Sequence, residues 1–193
     1  MRKLIHLASF FILFISCSAQ KNISIPFTVE NKDSLNTYLI ENKVEFEKND
    51  LYTIKDFTSF AHFNNDGKLQ VPEILFFNSN GYLVKNRFNN NECSQVINEI
   101  EKINSLKFNK KITINDWLEH ISPLNQDSTV KDNIYIIINW AKFVDKFNGQ
   151  SFEWYNQLRN KNSNLKVNCI LLNLDIQEKW NLTEPQKKAL NII

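Results

Sequence analysis

The sequence predicts an α/β protein with a central sheet. Three observations carry that expectation: the unbroken run Ile134-Tyr135-Ile136-Ile137-Ile138, a second apolar run from Val167 to Leu174, and amphipathic segments at helical spacing around them. A strand that is apolar at every position has both faces covered, so helices must lie on each side of the sheet. Strands that alternate with helices give this layered arrangement.

Taken in order, Asp33 is expected to cap a helix that carries Leu35, Tyr38 and Leu39 and ends near Asn42 and Lys43. Residues 44–63 mix apolar positions (Val44, Phe46, Leu51, Tyr52, Ile54) with the aromatic series Phe57, Phe60 and Phe63, and no element is assigned there. Val71-Pro72-Glu73-Ile74-Leu75-Phe76-Phe77 reads as a buried strand closed by Asn78-Ser79-Asn80-Gly81. In that hairpin turn Gly81 supplies the positive φ, and residues 82–88 form the returning strand. An asparagine near Asn91 caps a helix with Val96, Ile97, Ile100 and Ile103 inward. Residues 107–133 are a connector holding a short helix around Trp117, Leu118 and Ile121, stopped by Pro123. Residues 147–160 suit a helix with Phe152, Tyr155 and Leu158 inward, and residues 184–192 a short final helix.

The leader has its own logic. Arg2 and Lys3 precede an apolar stretch from Leu4 to Ile15, the pattern of a secretory signal, and Phe14-Ile15-Ser16-Cys17 resembles the lipobox of bacterial lipoproteins. Lipidation of Cys17 would give an anchored domain in the bacterial cell envelope, periplasmic or at the outer membrane, with residues 17–24 as a tether. The competing expectation is ordinary cleavage after Ala19, which leaves a soluble exported chain. No other run approaches the ~18 apolar residues of a membrane span.

Composition removes several function classes. Without Arg2 and Lys3, 21 basic face 21 acidic residues, so the exported chain is neutral and nucleic acid is not an expected partner. Gly67, Gly81 and Gly149 cannot form either glycine-rich phosphate motif, and G-x-S-x-G is missing. His62 and His120 have no partner at metal-ligand spacing, so neither metal nor cofactor is expected. The carboxylates, Asp145 and Asp175 among them, show no catalytic pairing.

Two stretches resemble the thioredoxin fold. Ile138-Asn139-Trp140-Ala141-Lys142-Phe143-Val144-Asp145-Lys146-Phe147 is similar to the family's strand and active-site loop, and residues 167–175 are similar to its next strand, which ends in an Asp. The stretch from Val71 to Gly81 resembles the cis-proline strand and hairpin, and residues 92–103 stand where the C-terminal helix follows. The resemblance covers about half of the exported chain. It implies a three-layer sandwich with a central mixed sheet. The segments come in the reverse order, which implies a circularly permuted domain over residues 25–193, with halves 25–105 and 107–193 completing one sheet. Two small α/β units, or half-domains completed by a second chain, are the alternative.

The family's two cysteines fall on Val144 and Phe147, and neither side chain can ionise or form a disulfide. Disulfide exchange through this loop is therefore excluded. What the resemblance leaves is a binding face for a protein or peptide, with Pro72, Glu73, Trp140, Phe143, Val144 and Phe147 as candidate contacts. A thiol oxidoreductase or peroxidase working through Cys93, in the first turn of its expected helix, is the alternative function. Cys169 falls inside a buried strand.

Overall fold

The computed structural model describes residues 27–85, 97–98, 100–125, 134–160 and 166–192. The first half supplies strand β1 (Val29–Glu30), helix α1 (Lys32–Glu41), strand β2 (Leu51–Ile54), helix α2 (Phe57–Asn65) and strands β3 (Glu73–Phe77) and β4 (Tyr82–Lys85). A 3-10 segment at Ile100–Ser105 leads to strand β5 (Asn109–Thr113), the single-turn helix α3 (Asn115–Leu118) and strand β6 (Ile121–Pro123). Strand β7 (Ile134–Trp140), the 3-10 segment Lys142–Phe147, helix α4 (Asn148–Asn160), strands β8 (Val167–Asn173) and β9 (Ile176–Gln177) and helix α5 (Glu184–Ala189) complete the order.

Seven strands form one mixed sheet in the order β5-β4-β3-β7-β8-β2-β6. β7 runs parallel to β8, and β8 parallel to β2; every other neighbouring pair is antiparallel. Strands from before residue 105 (β2, β3, β4) and from after residue 107 (β5, β6, β7, β8) are interleaved in this sheet, so its core belongs to both halves at once. β1 and β9 make a separate parallel pair.

Alternation along β7 divides the interior. Ile134, Ile136, Ile138 and Trp140 join one core with Leu35 and Leu39 of α1 and Phe152 and Tyr155 of α4. Tyr135 and Ile137 join the other with Phe60 and Phe63 of α2 and Trp117 of α3. All seven β7 residues are buried, as an apolar run covered on both faces requires. Among the described residues no helix is long and apolar enough to cross a membrane.

Several expected boundaries move. Asn31, not Asp33, caps α1: its side chain accepts the Ser34 N–H at 3.0 Å and Ser34 Oγ accepts the Asn31 N–H at 3.1 Å. Residues 44–63, unassigned from sequence, hold β2 and then α2, whose N-cap Asp56 accepts the Ser59 N–H at 2.8 Å. The connector after Lys107 contains two edge strands, β5 and β6, rather than a helix alone. Ile121 is therefore a strand residue, and Pro123 ends an edge strand, a place where a missing N–H costs little. The expected helix start at Asn91 and the far end of the strand after Tyr82 lie outside the described residues.

Gly81 has φ +76°, and a Cβ built there would stand 3.2 Å from Ile114 Cγ2. Gly81→Ala is expected to lower unfolding free energy by about 1–2 kcal/mol, read from chemical denaturation midpoints. At the opposite face, Asp50 accepts the Tyr155 hydroxyl at 2.9 Å, and an Arg159 nitrogen lies 3.6 Å from it. Burial pushes its carboxyl up from 3.8 to about 6, against the help of Tyr155 and Arg159. The native state therefore binds more protons than the unfolded chain between those values, and stability falls as pH rises through that window. Asp50→Asn is expected to flatten that slope and to raise the melting temperature near pH 7.5, measured by thermal unfolding across a pH series.

Candidate functional site

The face implied by the resemblance is built where β7 ends. After Trp140 the chain passes through Ala141 into Lys142–Phe147, a segment kinked at Val144 (φ −121°, ψ 37°) before α4 begins. Asn148 closes this turn on itself: its Oδ1 accepts the Ala141 N–H at 3.0 Å, and its Nδ2 donates to the Ala141 carbonyl at 2.8 Å and to the Tyr38 hydroxyl at 2.7 Å. Tyr38 in turn donates to Asp145. Both backbone polar groups of a buried alanine are thus satisfied by one side chain.

Asp175 holds the other side of the turn. Its carboxylate accepts the N–H groups of Lys142 at 2.9 Å and Phe143 at 3.2 Å, and the Asn173 amide at 2.6 Å. The opening amides of a helical turn have no partner within it, so a carboxylate is a fitting acceptor. Burial pushes the Asp175 carboxyl upward, while these hydrogen bonds favour its charged form. Gln177 extends the network by donating to Asn173 Oδ1 at 3.0 Å and to the Asp175 carbonyl at 2.8 Å.

The second wall comes from the approach to β3. Its ladder with β7 starts at Glu73 opposite Asn139, so Val71 and Pro72 stand just before the pairing, beside the end of β7. The Val71–Pro72 peptide bond is cis. Asn139 Nδ2 reaches the Lys68 and Gln70 carbonyls at 3.3 and 3.2 Å and lies 3.5 Å from Glu73 Oε2. One buried amide therefore ties the loop before Pro72 to the strand that leads into Lys142–Phe147.

Val71, Phe143 and Val144 pack against the same core, the one that contains Phe60. Pro72, Glu73, Phe143 and Val144 are half-buried, and Phe147 is 47% exposed. Trp140 does not reach this surface. It is 1% exposed on the other side of the sheet and stacks on Tyr38 with ring centroids 5.7 Å apart, as expected of core. Glu73 begins an interior strand, since β3 lies between β4 and β7. Of the predicted contacts, Phe143 and Val144 come onto one core together with Val71, which sequence inspection left out; Pro72 and Glu73 stand where β3 begins, and Phe147 is exposed at the end of the turn.

The N-terminal arm lies against the same turn. Phe27 meets Phe143 edge to face with centroids 4.9 Å apart and Phe60 at 6.0 Å. Glu30 is buried and accepts from Lys142 Nζ at 2.6 Å, Ser34 Oγ at 2.6 Å and Thr28 Oγ1 at 2.7 Å. Burial works to raise this carboxyl, and the three bonds outweigh it, holding Glu30 below the usual carboxylate range. No local sequence signal links Phe27 and Glu30 to residues more than a hundred positions away.

The remaining candidates stand apart. Cys169 is buried, and burial pushes its thiol well above the usual range, so it is a core residue and not a nucleophile. Cys17 and Cys93 lie outside the described residues. His62 and His120 come together with ring centroids 4.3 Å apart, a pairing their 58-residue separation conceals. Burial, then the neighbouring His62 and Lys68, lowers the His120 pKa. Among the described residues no group of three or more His, Cys, Asp or Glu could hold a metal ion. Comparison with protein-family models, with curated proteins and with solved structures returns no match.

Removing the Asp175 carboxylate strands the Lys142 and Phe143 amides. Asp175→Ala is expected to cost about 2–4 kcal/mol in denaturant unfolding. Asp175→Asn, which retains one accepting oxygen, is expected to cost less. Equal stabilities for the two variants would contradict this assignment.

Proposed function

We propose that the chain is a redox-inactive, thioredoxin-like module that binds an extended protein or peptide segment at the face made by Val71, Pro72, Glu73, Phe143, Val144 and Phe147. It is carried in the bacterial cell envelope on a lipid at Cys17. The observation that carries the reading is the juxtaposition of the two resembling stretches: the strand after Pro72 pairs with the strand before Lys142, so both loops open on one side. The parallel step from β7 to β8, with α4 between, agrees with the resemblance.

The chemistry of the face favours grip over reaction. Val144 and Phe147 occupy the places of the family's sulfurs, and apolar area with a few fixed polar groups suits a peptide. The local electropositive amides are already engaged by Asp175. A partner contact at Phe147 would cover apolar surface that now faces solvent.

A peptide array probed with the full chain is expected to select a subset of sequences, with binding weakened at least about tenfold by Phe147→Ala and left intact by Lys188→Ala on α5. Insulin reduction with dithiothreitol is expected to run no faster with the protein than without it. Absence of selective peptide binding would remove the reading, and catalysed reduction lost in Cys93→Ser would replace it with the thiol enzyme.

A further inference from the structure

A short arm of this chain already packs beside the proposed face, on Phe143 and on the neighbouring Lys142, and its chemistry describes what that end of the face accepts. The arm 27–30 places the Phe27 ring against Phe143 and Phe60 and the Glu30 carboxylate on Lys142. Between them Thr28 and Val29 are exposed. The arm is held by little else: β1 pairs with β9 at only two positions, Val29 with Ile176 and Glu30 with Gln177. Beyond it α1 has its own cap in Asn31 and its own buried anchors in Leu35 and Leu39, and one side-chain bond, Ser34 Oγ to Glu30 at 2.6 Å, joins the helix to the arm.

We propose that residues 27–30 are a resident stand-in for the external ligand, and that this ligand is an extended segment with an aromatic side chain three residues before a carboxylate. The proposal rests on the peptide-binding reading above and specifies its partner. The aromatic position is set by the edge-to-face contacts of Phe27, the geometry in which ring quadrupoles attract. The carboxylate position is set by Lys142, whose Nζ lies 2.6 Å from Glu30 and whose own backbone N–H is fixed by Asp175. An incoming segment must displace the arm up to Asn31, whose capping bonds to Ser34 hold the start of α1. A tethered competitor acts at an effective concentration in the millimolar range, so the resting protein hides the face from weak ligands.

The test uses the full chain and a fluorescein-labelled peptide spanning residues 24–31, followed by fluorescence anisotropy. The double variant Phe27→Ala, Glu30→Gln is expected to bind this peptide at least about tenfold more tightly than the unaltered protein does. Peptides carrying the Phe27→Ala or the Glu30→Gln change are expected to lose that affinity. Hydrogen exchange at the Lys142 and Phe143 amides is expected to quicken in the variant and to slow again when the peptide is added. Phe27→Ala alone, which keeps the Glu30–Lys142 pair, serves if the double variant does not fold. Equal binding to both proteins, or binding to neither, overturns the proposal. If exchange quickens and only unrelated peptides from the array bind, the stand-in fails while the peptide-binding reading survives; an array without selective binding removes that reading instead.

Discussion

A buried carboxylate is the constraint on which the end of the sheet depends. Asp175 lies just beyond β8, fully covered, and accepts the two amides that open the turn after β7. Burying such a group unpaired would cost several kcal/mol, and the same low dielectric strengthens each bond it makes. Asn139 and Asn148 act in the same way on neighbouring backbone, one tying Lys68 and Gln70, the other closing Ala141. Three buried polar side chains thereby position two loops whose own residues have little regular structure. The surrounding apolar layers supply most of the stability; these polar groups decide where Phe143, Val144 and Pro72 stand.

That placement has a chemical consequence. A helical turn with unpaired N–H groups can stabilise an anion, and in a redox protein the anion is a thiolate. Here the carboxylate of Asp175 takes those donors from within the chain, and the turn carries Val144 and Phe147, side chains that cannot ionise. On the proposed reading, the scaffold of a thiol enzyme has become a surface that recognises a segment of chain. The arm 27–30 then belongs to the recognition, because Phe27 and Glu30 lie against the turn after β7.

The α/β class, the central strands and the hairpin turn were legible in sequence because their signals are local and redundant. The run 134–138 can be buried on both faces only in an inner strand, and Asn78 to Gly81 carries its own turn chemistry. Edge strands β5 and β6 were not legible, since Asn109–Thr113 and Ile121–Pro123 are short, and the first is half polar. The loop after β7 was located by its likeness to a known motif, whereas its fastenings were hidden. Asp175 was visible only as the Asp at the end of a strand, and Asn139 and Asn148 were two of many asparagines. Trp140 had the composition of a contact residue; alternation along β7 turns it into the opposite core. Phe27 and Glu30 act across more than a hundred residues, a distance over which no pattern in a single sequence reports contact.

Chemical-shift mapping on the isotopically labelled full chain, titrated with a reduced and alkylated unfolded protein, addresses the central claim most directly. The account predicts that amide shifts move together at residues 71–75, 142–147 and 27–30, while the outer surface of α4 stays still. Shifts confined to α4 or to the His62 and His120 region, with the turn after β7 unmoved, would contradict it.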